Sequence, residues 1–458
     1  MRKTFVIVGA GFSGTVLAAN LLRKPPLEGA EVVLIERGAA MGRGVAYAAH
    51  EFPYLLNVPA ARSSADSSDP LQFLRFAQTR LSEVGGDDFL PRALYGEYLQ
   101  DLLLQAERAA PSNVRLLRVF GEVTGVRLSE HGVSPAARFA DRAPIVGDAL
   151  ILAPGNPSAP LPPWAAGLRG HFAFRQDPRD LPDTLTEEHS VLILGNGLTM
   201  ADAASALSRH PQRVPLLHTI SRHGLIPKTQ ARLHTDVMRG GAEALLSVAH
   251  SLRKLLRACR DLAREIESRG GDWREAVAVI RNLASDLWQR MPHVERRRFV
   301  RHVQVHWDIH RHRLPPQLAE RLDNLRRSGK LRIGAGRIHD VAAVGRRLRI
   351  SWRPRGTAMT GEMTVDLLVN ATGPNYNIER SEDALVNSLR SSGLVSADAL
   401  NLGIRTARFG ACVDAAGSVS RCLYYLGPLL RAGHLDATAA AELCIHAERL
   451  AAHLTLRG

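Results

Sequence analysis

The sequence predicts an α/β fold with two Rossmann-like dinucleotide-binding units in series, because the pattern of strand, glycine-rich turn and helix occurs twice along the chain. Two further apolar runs end in glycine, at residues 149–155 and 367–373, and are expected to return to the same two sheets. Alternating apolar stretches precede them, at 114–133 and 331–352, and predict antiparallel meanders. A helical insertion is predicted between the second unit and its return strands.

The length and composition favour a globular protein of several domains. The chain has 458 residues, of which 45% are hydrophobic and 23% are charged, so disordered and fibrous classes are excluded. No apolar run reaches the roughly 18 residues that a membrane helix needs. The apolar run near the start has only the length of a strand, unlike a signal peptide. We therefore expect a cytoplasmic protein without a membrane partner.

Cysteine and charge patterns narrow the function further. The four cysteines are scattered without a CxxC pair, which argues against a zinc site and a redox dithiol. The net charge is +14, and arginine supplies nearly all of the positive charge because the chain has only five lysines. Such a balance suits dinucleotide phosphates, an anionic substrate or nucleic acid. No nucleic-acid-binding motif accompanies the charge, so a nucleic-acid partner is not favoured.

The first glycine-rich turn carries a complete dinucleotide fingerprint. Residues 4–8 form an apolar strand that runs directly into GAGFSG at residues 9–14. Gly9 permits the turn, Gly11 lets the backbone approach a pyrophosphate, and Gly14 lets the helix pack on the strand. The next strand ends in Glu36, 22 residues after Gly14, where a carboxylate can accept hydrogen bonds from an adenosine ribose.

The second turn is a weaker version of the same pattern. Residues 191–194 lead into Gly195 and Gly197, but Met200 stands at the third glycine position. The following strand ends near Arg222 rather than in an acid. Arginine at that position matches the 2′-phosphate of NADP and predicts NADPH rather than NADH. The alternative is a solvated arginine at the end of a strand.

Seven motifs spread over nearly the whole chain resemble a known family. They are GAGFSG at 9–14, GRGVAY at 42–47, LLNVPAAR at 55–62, LGNGLTMAD at 194–202, HRHR at 310–313, NATGP at 370–374 and YLGPL at 425–429. Together they resemble a bacterial FAD/NAD(P)-binding family of flavoprotein oxidoreductases, related in layout to N-hydroxylating and Baeyer–Villiger-type monooxygenases. The resemblance implies FAD in the first unit and NAD(P)H in the second. It also implies that a C-terminal helix, residues 435–454, begins near the flavin.

This resemblance and the turns give the domain boundaries and the cofactor residues. The expected parts are 1–165 (FAD-binding domain, first part), 185–238 (NAD(P)-binding domain, first part), 239–329 (helical insertion), 330–372 (NAD(P)-binding return strands) and 373–458 (completion of the FAD-binding domain). The predicted cofactor-binding residues are Gly9, Gly11, Ser13, Gly14, Glu36, Arg43, Asn57, Gly195, Gly197, Thr199, Arg222, Gly373 and Gly427.

The end of the insertion is rich in histidine and arginine. His302, His306 and His310 have the spacing of one helix face, and two histidines four residues apart can bind zinc. No metal is predicted, because no catalytic glutamate follows the first histidine and flavin chemistry needs no metal.

The candidate catalytic residues belong to the same segment. They are His310, Arg311, His312 and Arg313, with Trp307 beside them. As an active-site cover, this segment would hold an anionic substrate through arginine and move a proton through histidine. The alternative is a basic helix exposed to solvent that ends before the prolines at 315 and 316. The sequence leaves both interpretations open.

The leading hypothesis is an FAD-dependent, NAD(P)H-using monooxygenase that hydroxylates a small anionic heterocycle with molecular oxygen. The resembled family includes an FAD-dependent urate hydroxylase of bacterial purine breakdown, so urate is the candidate substrate. An N-hydroxylating monooxygenase is an alternative, although residues 296–313 and their neighbours offer only Glu295 and Asp308 to hold an ammonium group. A flavin-dependent reductase without oxygen insertion is another. The alternative outside enzymes is a dinucleotide-regulated protein that binds nucleic acid through residues 253–327. The oligomeric state is not predicted.

Overall fold

The computed structural model describes residues 2–129, 132–231 and 241–456. These residues form two mainly parallel sheets, a small antiparallel sheet and a group of helices. The predicted α/β fold is therefore confirmed. The expected boundary between residues 238 and 239 lies outside the described residues.

The strands are numbered in chain order. They are β1 (Lys3–Val8), β2 (Ala30–Glu36), β3 (Val114–Phe120), β4 (Val123–Leu128), β5 (Pro135–Phe139), β6 (Ile145–Val146), β7 (Ala149–Leu152), β8 (Phe174–Arg175), β9 (Ser190–Leu194), β10 (Leu216–Ser221), β11 (Leu331–Val344), β12 (Arg347–Pro354), β13 (Gly361–Val365), β14 (Leu367–Asn370), β15 (Ala411–Val413) and β16 (Val419–Tyr425).

The helices are numbered in the same way. They are α1 (Phe12–Arg23), α2 (Gln72–Gln78), α3 (Arg92–Arg108), α4 (Leu198–Leu207), α5 (Gly241–Ser247), α6 (Leu252–Ser268), α7 (Trp273–Asn282), α8 (Ala284–Arg290), α9 (His293–Arg298), α10 (Gln304–Arg311), α11 (Pro316–Arg327), α12 (Ala384–Ser391) and α13 (Ala440–Leu456).

The first sheet has the strand order β15-β16-β7-β1-β2-β3. Its central strands are parallel, with Ile7 opposite both Leu34 of β2 and Ile151 of β7. All three side chains are buried, because helices cover both faces of a parallel sheet and make its strands apolar throughout. The C-terminal strand β16 joins this sheet beside β7. Residues more than 400 positions apart therefore share one core.

The second sheet has the strand order β13-β12-β11-β10-β9-β14-β8. The long strand β11 pairs in parallel with β10 through its first five residues and then antiparallel with β12. The strand β11 thus ends the parallel part of the sheet and begins the antiparallel meander β11–β13. This meander lies where the alternating residues 331–352 predict one. The meander expected at 114–133 is only partly right. β3 is parallel to β2 and belongs to the first sheet, while β4 pairs antiparallel with β5 in a separate sheet.

Helix α11 packs in the core of the second unit, whereas the helices α5 to α8 form a further core. Buried residues of this core include Leu245, Leu262, Val279 and Trp288. The last helix, α13, begins at Ala440 rather than at 435 as expected from the resemblance. Among the described residues, no helix is long and apolar enough to cross a membrane.

Candidate functional site

The two glycine-rich turns have the same geometry. Gly9 has a φ of +103° and Gly195 a φ of +114°, a region that side chains other than glycine rarely adopt. A Cβ atom on Gly9 would lie 2.2 Å from the carbonyl oxygen of Ala153, and one on Gly195 would lie 2.3 Å from that of Ala371. Each turn therefore needs glycine, because the backbone of the return strand lies directly against it.

The third position distinguishes the two turns. A Cβ atom on Gly14 would lie 1.9 Å from the carbonyl oxygen of Gly9, so α1 packs as closely on its turn as a helix can. The equivalent residue of the second turn, Met200, is fully buried in the core of the second unit. The neighbouring Ser13 is buried and Thr199 is partly exposed, each in the first turn of its helix. The N-terminal ends of α1 and α4 thus carry the predicted phosphate contacts.

The carboxylate of Glu36 lies at the end of β2 beside the first turn. Its Oε2 accepts a hydrogen bond of 2.9 Å from the backbone N–H of Ala10, and its Oε1 accepts one of 2.9 Å from Gly38. Gly44 lies against the same turn, since a Cβ atom on Gly11 would be 3.6 Å from the Cα of Gly44. That separation is ordinary contact, so the protein itself leaves room for a side chain at Gly11.

The loop after β2 is tied to α3 rather than free on the surface. The backbone N–H of Gly42 donates to Ala10 O at 2.8 Å, and Arg43 Nε donates to Gln100 Oε1 at 3.1 Å. Arg43 therefore lies close to the first turn, although its side chain already has a protein partner.

Several features of the turns fit a bound dinucleotide. Gly155 and Gly373 follow the return strands with φ values of +82° and +83°, and a Cβ on either would meet no described atom within 4 Å. Asn196 is only 5% exposed, yet neither its amide nitrogen nor its amide oxygen has a hydrogen-bond partner among the described residues. A buried amide without partners is unfavourable, and phosphate or ribose oxygens would satisfy it. Gly197 also has open space beside it.

Positive charge collects where β10 ends. Arg222 is exposed there, directly before His223. Burial lowers the pKa of His223, and the nearby charges of Arg355 and Arg222 lower it further. His306 and Arg337 add to this cluster. A cationic cluster at this place suits a 2′-phosphate group.

The LLNVPAAR segment, residues 55–62, lies where the two units meet. The backbone oxygen of Asn57 accepts a 3.3 Å hydrogen bond from Gln230 Nε2, and Asn57 Oδ1 is buried without a partner in the described ranges. Arg92 Nε donates to Leu55 O at 2.9 Å, while its Nη2 lies 2.9 Å from Asp202 of α4. This segment therefore borders the space in which two dinucleotides could meet.

The four candidate catalytic residues do not converge on one point. His310 is half-buried and packs edge-on against Trp273, with ring centroids 5.1 Å apart. Arg311 is buried, and its Nε lies 2.8 Å from Asp436 Oδ1. His312 contacts Arg311, and burial together with that positive charge holds the pKa of His312 well below its usual value.

Arg313 is the fourth of these residues. It is only 8% exposed, and its Nε and Nη1 atoms have no hydrogen-bond partner among the described residues. Burial, followed by the charges of Arg274 and Arg281, lowers the pKa of Arg313 to about 10. The alternative of a solvent-exposed basic helix is therefore wrong for Arg311 and Arg313.

The three spaced histidines do not continue one α-helical face. Residues Phe299–Val303 form a π-helical turn, so the register changes between His302 and His306. Within the described parts of the chain, no three side chains of the metal-binding types come together.

Three residues that the sequence did not single out also border this region. Gln230 contacts the LLNVPAAR segment, and Asp202 pairs with Arg92. Arg431 is 6% exposed and lies over the ring of Tyr376, 4.9 Å from its centroid. Arg431 lies two residues after the end of the YLGPL motif. This position beside a motif is the one sequence signal that could have indicated it. Gly427, the predicted contact within that motif, lies two residues after the buried end of β16.

Comparison with known proteins agrees with this geometry. Residues 6–157 match a family model described as FAD-NAD(P)-binding. No curated protein sequence matches the chain. Several solved structures share its fold across nearly its whole length. An FAD-bound cadaverine monooxygenase from Erwinia amylovora has a TM-score of 0.66 and 15% identity, covering 100% of this chain and 95% of its own.

Two further structures show the same likeness. The ornithine hydroxylase of Pseudomonas aeruginosa has a TM-score of 0.62 and 17% identity, covering 100% of this chain and 99% of its own. The L-lysine 6-monooxygenase of Pseudomonas syringae has a TM-score of 0.63 and 14% identity, covering 99% of each chain. Residues 6–157 are thus similar to FAD-NAD(P)-binding proteins, and the whole chain shares the α/β fold of these solved structures.

Proposed function

We propose that this chain is an FAD-dependent, NAD(P)H-using monooxygenase that oxygenates a small molecule. One observation carries the proposal: two turns of equal geometry, at Gly9 and Gly195, lie in two units that meet at the LLNVPAAR segment. Two dinucleotides held in this way can exchange a hydride within one chain. The FAD-NAD(P)-binding match over residues 6–157 supports FAD in the first unit.

The residues around the two turns would bind different cofactors. The backbone at Gly11 and the N-terminal end of α1 would hold the FAD pyrophosphate, with Glu36 near the adenosine ribose. The second turn would hold NADPH, with the Arg222 cluster at its 2′-phosphate. When bound, the flavin supplies the redox chemistry, accepting hydride from NADPH and activating oxygen. The protein orients the substrate and keeps water out.

N-hydroxylation of a small amine is the reaction that the fold favours. The structural relatives named above act on cadaverine, ornithine and lysine, each of which carries a terminal amine. Residues 296–313 and their neighbours contain few acidic residues to hold an ammonium group, but this scarcity favours N-hydroxylation rather than opposing it. An amine must lose its proton before its lone pair can accept an oxygen atom from oxygen that a bound flavin would activate. Neighbouring positive charges lower the pKa of an amine. A cationic site therefore favours the reactive free base.

Urate hydroxylation is the second candidate. The solved structures described above offer it no counterpart, and its support is the buried, unpartnered Arg313 among other arginines, which suits an anionic ring. The two reactions are distinguished by their products.

The test is to purify the protein with its flavin and follow NADPH and oxygen consumption with L-ornithine, L-lysine, cadaverine or urate. A substrate should accelerate NADPH oxidation and gain one oxygen atom, measured by mass spectrometry against hydrogen peroxide release. NADPH oxidation that gives only hydrogen peroxide with every amine and with urate would favour the reductase alternative. A colourless protein that consumes no NADPH would contradict the flavoenzyme proposal itself.

A further inference from the structure

We propose that Arg313 is the anion-binding residue of the substrate site, and that its free Nε and Nη1 atoms hold a carboxylate or an equivalent anionic group of the substrate. This inference rests on the proposed function and names the substrate class. The substrate is a small molecule with a negatively charged group, such as an amino acid or a urate-like ring, rather than a simple diamine.

The first step of the argument is the cost of burying Arg313. Its guanidinium is more than nine-tenths buried, and two of its nitrogen atoms lack partners in the part of the chain that the structure describes. A buried charge without a partner destabilises a protein. Such a group persists where a bound ligand supplies the missing partner.

Arg311 provides an internal comparison only two residues away. It is equally buried, but its Nε faces Asp436 at 2.8 Å and its Nη2 donates to Asp436 O at 3.0 Å. The fold therefore brings a carboxylate from a distant part of the chain to ion-pair distance of Arg311, although the geometry of Nε and Oδ1 is not that of a hydrogen bond. Arg313 has no corresponding carboxylate contact among the described residues.

The nearest acidic candidate is already engaged. Asp272 accepts hydrogen bonds from Arg274 Nη1 at both of its oxygens, at 3.1 and 2.8 Å. Asp272 also caps helix α7 through the backbone N–H of Arg274. Its carboxylate therefore neutralises Arg274 and leaves Arg313 available.

The backbone places Arg313 at the junction of the two units. The next residue, Leu314, donates to Lys228 O and accepts from the backbone N–H of Gln230, both at 2.8 Å. Gln230 in turn donates from its side chain to Asn57 O. Arg313 is thus linked through Leu314 and Gln230 to the LLNVPAAR segment, in which Asn57 Oδ1 is also buried without a hydrogen-bond partner among the described residues.

The charge around Arg313 also suits an anion. Arg274, Arg281 and Arg62 all lie close enough to lower its pKa, and Arg274 is fixed by donating to Thr229 O at 2.9 Å. With a pKa of about 10, Arg313 remains protonated at neutral pH. Because Arg274 is paired with Asp272 and Arg281 with Glu442, the net positive charge of this cluster comes from Arg313 and Arg62, and it would attract an anionic group.

The first experiment measures stability, which needs no turnover. In the flavin-loaded protein, Arg313→Met should leave the melting temperature unchanged or raise it, because an unpaired buried charge is removed. Arg311→Met should lower it by several degrees, because Asp436 loses its partner. The exposed Arg301→Met serves as the matched control. A loss at Arg313→Met as large as that at Arg311→Met would show a structural ion pair and overturn the inference.

The second experiment measures anion binding directly. Sodium acetate should raise the melting temperature of the unchanged protein above that in sodium chloride of equal ionic strength, and Arg313→Met should abolish the difference. An equal acetate effect in both proteins, or none in the unchanged protein, would overturn the anion site.

Matched ligands then test the substrate class, since cadaverine is lysine without its carboxylate. The affinity for L-lysine or urate, followed by flavin absorbance, should exceed that for cadaverine at least tenfold and should fall at least tenfold in Arg313→Met. A cadaverine affinity equal to the higher of the affinities for L-lysine and urate would contradict the proposal. If the stability and acetate results hold but no ligand is oxygenated, the failure belongs to the proposed function and not to the anion site.

Discussion

Arg92 of α3 and Asp202 of α4 form an ion pair of 2.9 Å that joins the first dinucleotide unit to the second. Burial raises the pKa of the Asp202 carboxyl even though Arg92 lowers it in part. Arg92 also donates to Leu55 O, so the same guanidinium anchors the LLNVPAAR segment. This one side chain therefore couples the positions of three parts of the site.

Removing Arg92 should weaken both the fold and the coupling between the units. Arg92→Met leaves the partly buried Asp202 carboxylate without its partner and should reduce the free energy of unfolding by about 2 kcal/mol. Chemical denaturation measures this loss, with the exposed Arg108→Met on the same helix as the control. Asp202→Asn in the Arg92→Met background should recover part of the loss. Equal stability of Arg92→Met and Arg108→Met would refute the assignment.

The first turn separates cofactor loss from unfolding. Gly11→Val should fold, because a Cβ atom at position 11 makes only ordinary contact with the protein, 3.6 Å from the Cα of Gly44, but should lose FAD, since the backbone could no longer approach the pyrophosphate. Gly9→Ala should not fold stably, because its Cβ would collide with Ala153 O. Flavin absorbance and circular dichroism of the purified variants distinguish the two effects. Full flavin retention in Gly11→Val would place the pyrophosphate elsewhere.

Arg222 should determine the preference for NADPH over NADH. Arg222→Ala should weaken NADPH binding about tenfold to a hundredfold, the range expected for one charge-assisted contact, and should leave NADH binding unchanged. Arg213→Ala, an exposed arginine just before β10, is the control. Flavin reduction rates at increasing nucleotide concentration measure both affinities. Equal use of both nucleotides by the unchanged protein would remove the basis for this assignment.

The C-terminal helix should make the protein sensitive to mild acid. Burial, then the neighbouring His434 and Arg449, lower the pKa of His446 from 6.5 to about 4. Between pH 4 and pH 6.5 the unfolded chain binds a proton at His446 and the folded protein does not. The stability that depends on a neutral His446 is therefore complete above pH 6.5 and is lost as the pH falls toward 4. The melting temperature of His446→Gln should therefore fall less than that of the unchanged protein between about pH 7 and about pH 4.5. Parallel pH profiles of the two proteins would exclude His446 as the cause.

Much of the nucleotide site could be read from the sequence, because its requirements are local. Gly9 and Gly14 lie in one short run, and a Cβ atom on Gly14 would collide with the carbonyl oxygen of Gly9 in the same run. Glu36 follows at the end of the next strand, so spacing alone brings it to the turn. The sequence could not distinguish β3 from a meander strand, since alternating apolar residues fit either arrangement.

The amino-acid pattern was sufficient to predict the two α/β units, the positions of their glycine turns and an arginine-rich segment between the second unit and its return strands. The three-dimensional packing shows that Arg311 lies within ion-pair distance of Asp436, whereas the Nε and Nη1 atoms of Arg313, two residues later, are buried without a hydrogen-bond partner among the described residues. Asp436 is 125 positions away from Arg311, and packing rather than local pattern brings the two together. We therefore propose different roles for these two arginines of one motif, since a buried charge is stable only where an opposite charge lies near it.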